Sequence, residues 1–274
     1  MIDSTSIGLL ERIKRRLDWN SPTDLVNQWG IQVTSVSLLL LLWNFGLSAI
    51  DSFLFPTPIE IVESMFQNLF VNPVLFWAII EALTFAAIGY AAASLLGVSV
   101  GLLVGLWQPA KNTLNPILDA MYITPIIALI PLVILIFGLS FTAKVFIVFL
   151  MAFFIITFNT ITGIEETPDE LVSASRVFGA DGFQVFREVH LKWALPNILA
   201  GLRLGSGRAV RGMVVAELFI FAGDLGTFLV GAGQTFDMPR LYATIITLSL
   251  TGLIVIKLAR AIELQLLSYR AINS

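Results

Sequence analysis

The residues able to do chemistry in this chain are few, and most of them stand inside apolar sequence. Glu81, Arg208, Arg211 and Glu217 are ionisable groups set in or beside long uncharged stretches, Thr124, Pro125 and Pro131 interrupt another, and the lone histidine, His190, follows an acidic, small-residue run. None of these makes an enzyme's constellation. Covalent catalysis needs an activated nucleophile beside a base, and a metal centre needs several donors at fixed spacing. The chain has no cysteine and one histidine, and no close pair of aspartates falls in an apolar stretch. His190 therefore has no second histidine with which to share a metal, and a disulfide framework is excluded. A Gly-x-x-x-x-Gly-Lys-[Ser/Thr] loop is also missing from the sequence, so nucleotide hydrolysis has no phosphate cradle here.

The elements that must carry these residues follow from where charge is missing. Of the 274 residues, 57% are hydrophobic and 13% charged, against about 45–50% and about 25% in soluble domains; the mean hydropathy is +0.88. Residues 25–50, 82–110, 120–143 and 145–164 contain no charged side chain, and each meets the roughly 20 residues of a membrane helix. A soluble enzyme, a nucleic-acid binder and a disordered scaffold are excluded, and a net charge of −3 implies no polyanion partner. The pattern predicts an all-α polytopic membrane protein with six transmembrane helices, at 31–50, 79–106, 117–137, 145–164, 198–221 and 241–261. The basic cluster Arg12, Lys14, Arg15 and Arg16 resembles the charged region of a signal peptide. The apolar run after it is too long for a signal core and no small-residue cleavage pattern follows, so it is read as a retained first span. Residues 1–30 are expected to be a cytoplasmic N-terminal segment and 31–274 the transmembrane domain, with a cytoplasmic loop at 165–197. All basic residues except Lys144 and Arg240 then fall on one face, which puts both termini in the cytoplasm.

Local patterns assign tasks to these spans. Pro56-Thr57-Pro58 opens a short amphipathic helix with Ile59, Val62, Met65, Phe66 and Leu69 at helical spacing, either an interfacial helix or a structural cap. Gly97, Gly101 and Gly105 recur every fourth residue, with Gly89 two turns earlier, a stripe suited to close approach of another helix rather than lipid. Pro125 and Pro131 each remove a backbone hydrogen bond, so the third span is expected to be kinked or broken. Thr124, Pro125 and Pro131 are thus candidates for the wall of a translocation path, or for a bend needed only in packing. Glu217 falls near the outer end of the fifth span and is either solvated or paired with an arginine of another helix, or else a gate. Arg208 and Arg211 attract an anionic substrate, pair inside the bundle, or snorkel to the cytoplasmic side. Glu81 is expected at the outer interface in a structural role.

Residues 165–191 carry the densest information. Thr167 with Glu170 reads as a capping box with Pro168 at the first helical position, and Gly179 is placed to end that helix. A second box, Asp181 with Gln184, opens a helix bearing Phe183, Phe186 and Val189. Two short helices joined by a Gly179-Ala180-Asp181-Gly182 turn would project from the membrane, and Leu171, Val172 and Phe178 on them look like a docking surface.

Continued by Ala194-Leu195-Pro196-Asn197, this segment resembles the coupling loop of ABC importer permeases, whose pattern is E-A-A, three residues, G, nine residues, I-x-L-P. With the glycine at Gly179, the rest falls on Ser173-Ala174-Ser175, Val189 and Leu191. Ser173 stands where the pattern has glutamate and Lys192 where it has proline; Glu170 lies a turn before and Pro196 a turn after. Gly207-Arg208-Ala209, Val214-Val215-Ala216-Glu217, Gly223-Asp224-Leu225-Gly226 and 235–243 are similar to the nitrate, sulfonate and taurine branch. The resemblance implies a type I importer permease (MetI-like) fold in the cell inner membrane. A second permease copy or paralogue would pair with it, two ATP-binding subunits would hold ATP and Mg, and an extracytoplasmic binding protein would deliver substrate. This chain would carry no cofactor. Docking would involve Glu170, Leu171, Val172, Ser173, Ala174, Ser175, Phe178, Gly179, Ala180 and Asp181. The branch implies a small oxoanion such as nitrate, sulfonate, taurine or bicarbonate; similar permeases serve vitamin or pyrimidine precursors. An ion-coupled secondary transporter would instead be expected to show internal repeats, and no convincing one is present.

Overall fold

The computed structural model describes residues 54–220 and 224–271, with side chains followed to 257, and helical fragments between 30 and 46. Residues 1–29 of the expected N-terminal segment and part of the expected span 31–50 lie outside the described residues. The chain divides into two units, Met1–Glu63 and Ser64–Ser274. A capping box in the first unit opens α1 (Pro58–Phe66), which spans the boundary at Glu63: the Glu60 carboxylate accepts from the Thr57 amide at 2.8 Å and Thr57 Oγ1 from the Glu60 amide at 3.4 Å.

The second unit is built on three long helices, α2 (Val74–Leu106), α5 (Phe141–Glu165) and α8 (Leu191–Phe219). Among the described residues, α2, α5 and the last helix, α10 (Met238–Ala271), have the length and apolarity to cross a membrane, and a bent pair makes a fourth candidate span. The central helix is α5, packed along both α2 and α8. Small residues are the reason it can be: a Cβ added at Gly101 would come within 2.5 Å of Thr160 Cβ, and one at Gly89 within 2.7 Å of the Val145 carbonyl. From the other side, a Cβ added at Gly201 would come within 2.7 Å of Asn159 Cβ, and one at Gly212 within 3.0 Å of Val148 Cα and 3.2 Å of Met151 Cβ. Backbones this close gain dispersion contacts that lipid cannot match. The expected glycine stripe thus has its partner, α5, and a second stripe on α8 mirrors it.

The third span departs from a single kinked helix. It is two helices, α3 (Gln108–Ile123) and α4 (Ile126–Phe137), meeting at 99°. Proline pushes the residue before it into extended conformation; Thr124 (ψ 127°) and Pro125 (ψ 110°) are both extended, and Thr124 Oγ1 donates to the Ala120 carbonyl at 2.9 Å. Pro131 breaks nothing, and α4 runs through it to Gly138, where a φ of +70° ends the helix. Ser140 then caps α5 by accepting from the Ala143 amide at 3.3 Å.

Several helices start before the expected boundaries. The fourth span begins at Phe141 rather than 145, because Lys144 lies inside the helix, paired with Glu81 and Glu217, instead of marking its end; the second begins at Val74 rather than 79 and the fifth at Leu191 rather than 198. The last helix starts at Met238, with Asp237 Oδ1 accepting from the Arg240 amide at 3.2 Å.

Candidate functional site

The loop between α5 and α8 opens with α6 (Asp169–Val177), whose two ends are locally defined. The expected Thr167 box does not form: Pro168 is the N-cap, and Thr167 Oγ1 is buried without a partner. Proline fixes the entry angle, and Asp169 and Glu170 in the first turn complement the helix dipole. The stop is a Schellman motif: Gly179 has φ +87°, the Ala180 amide donates to the Ser175 carbonyl at 3.0 Å, and the Gly179 amide donates to the Arg176 carbonyl at 2.9 Å. Asp181 and Gln184 form the expected box, each accepting the other's amide, at 2.8 and 2.9 Å.

The second helix of the loop is not a separate rod. After α7 (Gly182–Val185) a π-type turn at Phe186–His190 leads straight into α8, so the Asp181 cap starts a continuous helical path to Phe219. Two contacts tie the base of the loop: Asn197 donates to Glu166 at 2.8 Å, and Lys111 pairs with Glu165 at 2.8 Å. These contacts link the ends of α3, α5 and α8 at the base of the loop.

The loop exposes Val177 at 85%, Phe178 at 90% and Phe183 at 67%, and Leu171 is exposed as well. Val177 and Phe183 were not among the docking residues expected from sequence; Val172, Ser175 and Ala180, which were, are half-buried, and Glu170, Ser173, Ala174, Gly179 and Asp181 are exposed. A cavity of about 540 Å³ opens beside them, lined by Ser175, Ala180, Asp181, Phe183, Gln184 and Arg187 among others. His190 lies at the junction with α8, its Nδ1 buried without a partner, and burial, then the nearby charge of Arg176, holds its imidazole below the ordinary range.

Among the candidate path residues, three converge and two do not. Thr124, Pro125 and Arg208 line one cavity of about 400 Å³, together with Tyr122, Ile123, Ile126, Ile127, Met151, Phe154 and Ile155. The cavity sits at the 99° break, lined by the end of α3 and the start of α4. Pro131 does not line it. Neither does Glu217, which is 1% exposed and pairs not with an arginine but with Lys144 Nζ at 3.0 Å. Lys144 is fully buried, stands 3.6 Å from Glu81 and lies 5.3 Å over the Phe85 ring. Glu217 Oε2 also accepts from the Gly226 amide at 2.9 Å, in the first turn of α9 (Asp224–Gln234). One ammonium thus joins α2, α5 and α8 at the end of the bundle opposite the loop, and α8 holds α9.

The matches to known proteins agree with one another. Residues 93–267 match the family described as binding-protein-dependent transport system inner membrane component. An aliphatic sulfonates transport permease protein of Bacillus subtilis is 32% identical over 85% of each chain. A riboflavin transport system permease protein of Chloroflexus aurantiacus is 31% identical over 88% of this chain and 90% of its own. A taurine transport system permease protein of Escherichia coli is 28% identical over 92% and 93%. Among solved structures, an inward-facing methionine ABC transporter shares the fold, with a TM-score of 0.57 and 21% identity over 69% of this chain and 94% of that one.

Proposed function

Because the chain belongs to the binding-protein-dependent inner-membrane components, the permease subunits of ABC importers, we propose that it lines the substrate path of an ATP-driven importer for a small oxoanion. Two ATP-binding subunits dock on the α6 to α7 loop at its cytoplasmic side and hold the ATP and Mg; a second permease copy or paralogue completes the path, and an extracytoplasmic binding protein delivers the substrate. Both termini lie in the cytoplasm.

The observation that carries this reading is the loop itself. It presents Val177, Phe178 and Phe183 to solvent on a frame capped at Asp181, stopped at Gly179 and fastened to Glu165 and Glu166. Apolar groups so exposed are suited to a protein partner. A frame so fastened is suited to transmit motion. Closure of the ATPase pair pulls the loop, the ends of α5 and α8 follow, and the population shifts between inward-open and outward-open states.

The oxoanion is supported by the sulfonate and taurine relatives and by Arg208 on the cavity. The riboflavin relative favours a second reading, the same importer serving a vitamin precursor or vitamin. Proteoliposomes holding the permease, its ATPase and its binding protein separate the two: labelled aliphatic sulfonate or nitrate should accumulate with ATP. Accumulation of riboflavin with no oxoanion uptake would overturn the substrate assignment.

A further inference from the structure

The helix α8 has two unlike faces. Gly201, Gly205, Ala209, Gly212 and Ala216 are buried, while Arg203, Arg208 and Arg211 are all on the exposed side. At 1.5 Å per residue, Arg208 is about 26 Å from the helix start at Leu191, about 7–8 Å beyond Arg203 and about 4–5 Å short of Arg211. Wherever α8 meets the membrane, a guanidinium faces protein or water rather than lipid. No hydrogen bond or ion pair engages Arg208 or Arg211 among the described residues. The cavity that Arg208 enters is lined otherwise by aliphatic and aromatic side chains, Thr124 and Pro125, and by no carboxylate. Thr124 spends its own hydroxyl proton on the Ala120 carbonyl. Nothing in that lining neutralises the charge.

Resting on the importer reading above, we propose that Arg208 is a charge-selecting contact of the permease path, engaging each passing oxoanion through its two-pronged donor face. Specificity then does not lie wholly in the binding protein. A guanidinium matches the paired oxygens of nitrate, a sulfonate or bicarbonate, where an ammonium offers only a point charge. Arg208 is exposed rather than enclosed, so the contact is a transit site: strong enough to favour anions, weak enough to release them.

The absence of native cysteine makes the test clean. The substitution Ile123→Cys puts a single thiol on the cavity wall, at an exposed position, in the permease assembled with its ATPase subunits. The modification rate of that thiol is measured with a methanethiosulfonate reagent carrying a sulfonate and with its trimethylammonium counterpart. Arg208→Gln is expected to lower the sulfonate-to-ammonium rate ratio about tenfold, the scale on which a charged cleft concentrates counter-ions; Arg208→Lys should keep most of it. A ratio unchanged by Arg208→Gln overturns the proposal, as does an introduced thiol that neither reagent reaches. Should Arg208→Gln fail to assemble, Arg208→Lys decides through uptake: a fall in oxoanion uptake supports the role of the fork and unchanged uptake overturns it. ATP-dependent uptake by the unmodified complex is measured alongside. Its absence would count against the importer reading, while uptake with no effect at Arg208 counts against this inference alone.

Discussion

At the scale of single residues, the largest electrostatic commitment is Lys144. An ammonium with no exposure is stable only if charge partners stay with it. Lys144→Met leaves the buried Glu217 carboxylate with only the Gly226 amide, and should cost about 3–5 kcal/mol. Adding Glu217→Gln should recover much of that loss in thermal unfolding, because the amide carries no charge and can still accept from Gly226. A single mutant as stable as the parent would contradict the buried pair. His190 supplies the pH dependence. Burial lowers its folded-state pKa below the ordinary 6.5, so the unfolded loop binds the proton more readily. Its contribution to stability is then full above pH 6.5 and falls as the pH drops below that value toward the folded pKa. As the chain's one histidine, it gives a single imidazole titration by NMR, and a midpoint at or above 6.5 would contradict its placement. Sequence exposed these residues but not their partners. Glu217 pairs with a residue 73 positions earlier, and no local spacing encodes that pairing; Lys144 was legible only as one of two basic residues on the outer face.

At the scale of elements, local chemistry was read best where it is self-contained. The Asp181 box and the Gly179 stop need only neighbours within a few residues, and both formed as expected. The glycine stripe was legible as a packing face because its cause is its own lack of side chains, while its partner α5 was not. The Thr167 box failed because Pro168 took the cap position, and the first turn of α5 was not legible because a charge inside a bundle, Lys144, looks like a boundary in sequence. Gly179 carries the element-scale prediction. Its φ of +87° would cost a β-branched residue about 1–2 kcal/mol or more. Gly179→Val should therefore displace the end of α6 and uncouple ATP hydrolysis from uptake, while membrane insertion is retained. Wild-type uptake in that variant would remove the loop from the coupling route.

At the scale of the whole molecule, charge is scarce because most side chains meet lipid or other helices, and the exceptions fall in three places. One end of the bundle carries the exposed, capped loop; the other carries the buried Lys144 and Glu217 pair with the half-buried Glu81 beside it; the exposed face of α8 carries arginines beside a cavity at the break between α3 and α4. The arrangement fits a subunit driven from one side, with α2, α5 and α8 held together by glycine contacts. Uptake by purified permease in proteoliposomes, with and without the ATPase subunits and with an imposed ion gradient, tests this most directly. Transport that requires the ATPase subunits and ATP is the predicted result; accumulation driven by the ion gradient through this chain alone would contradict it.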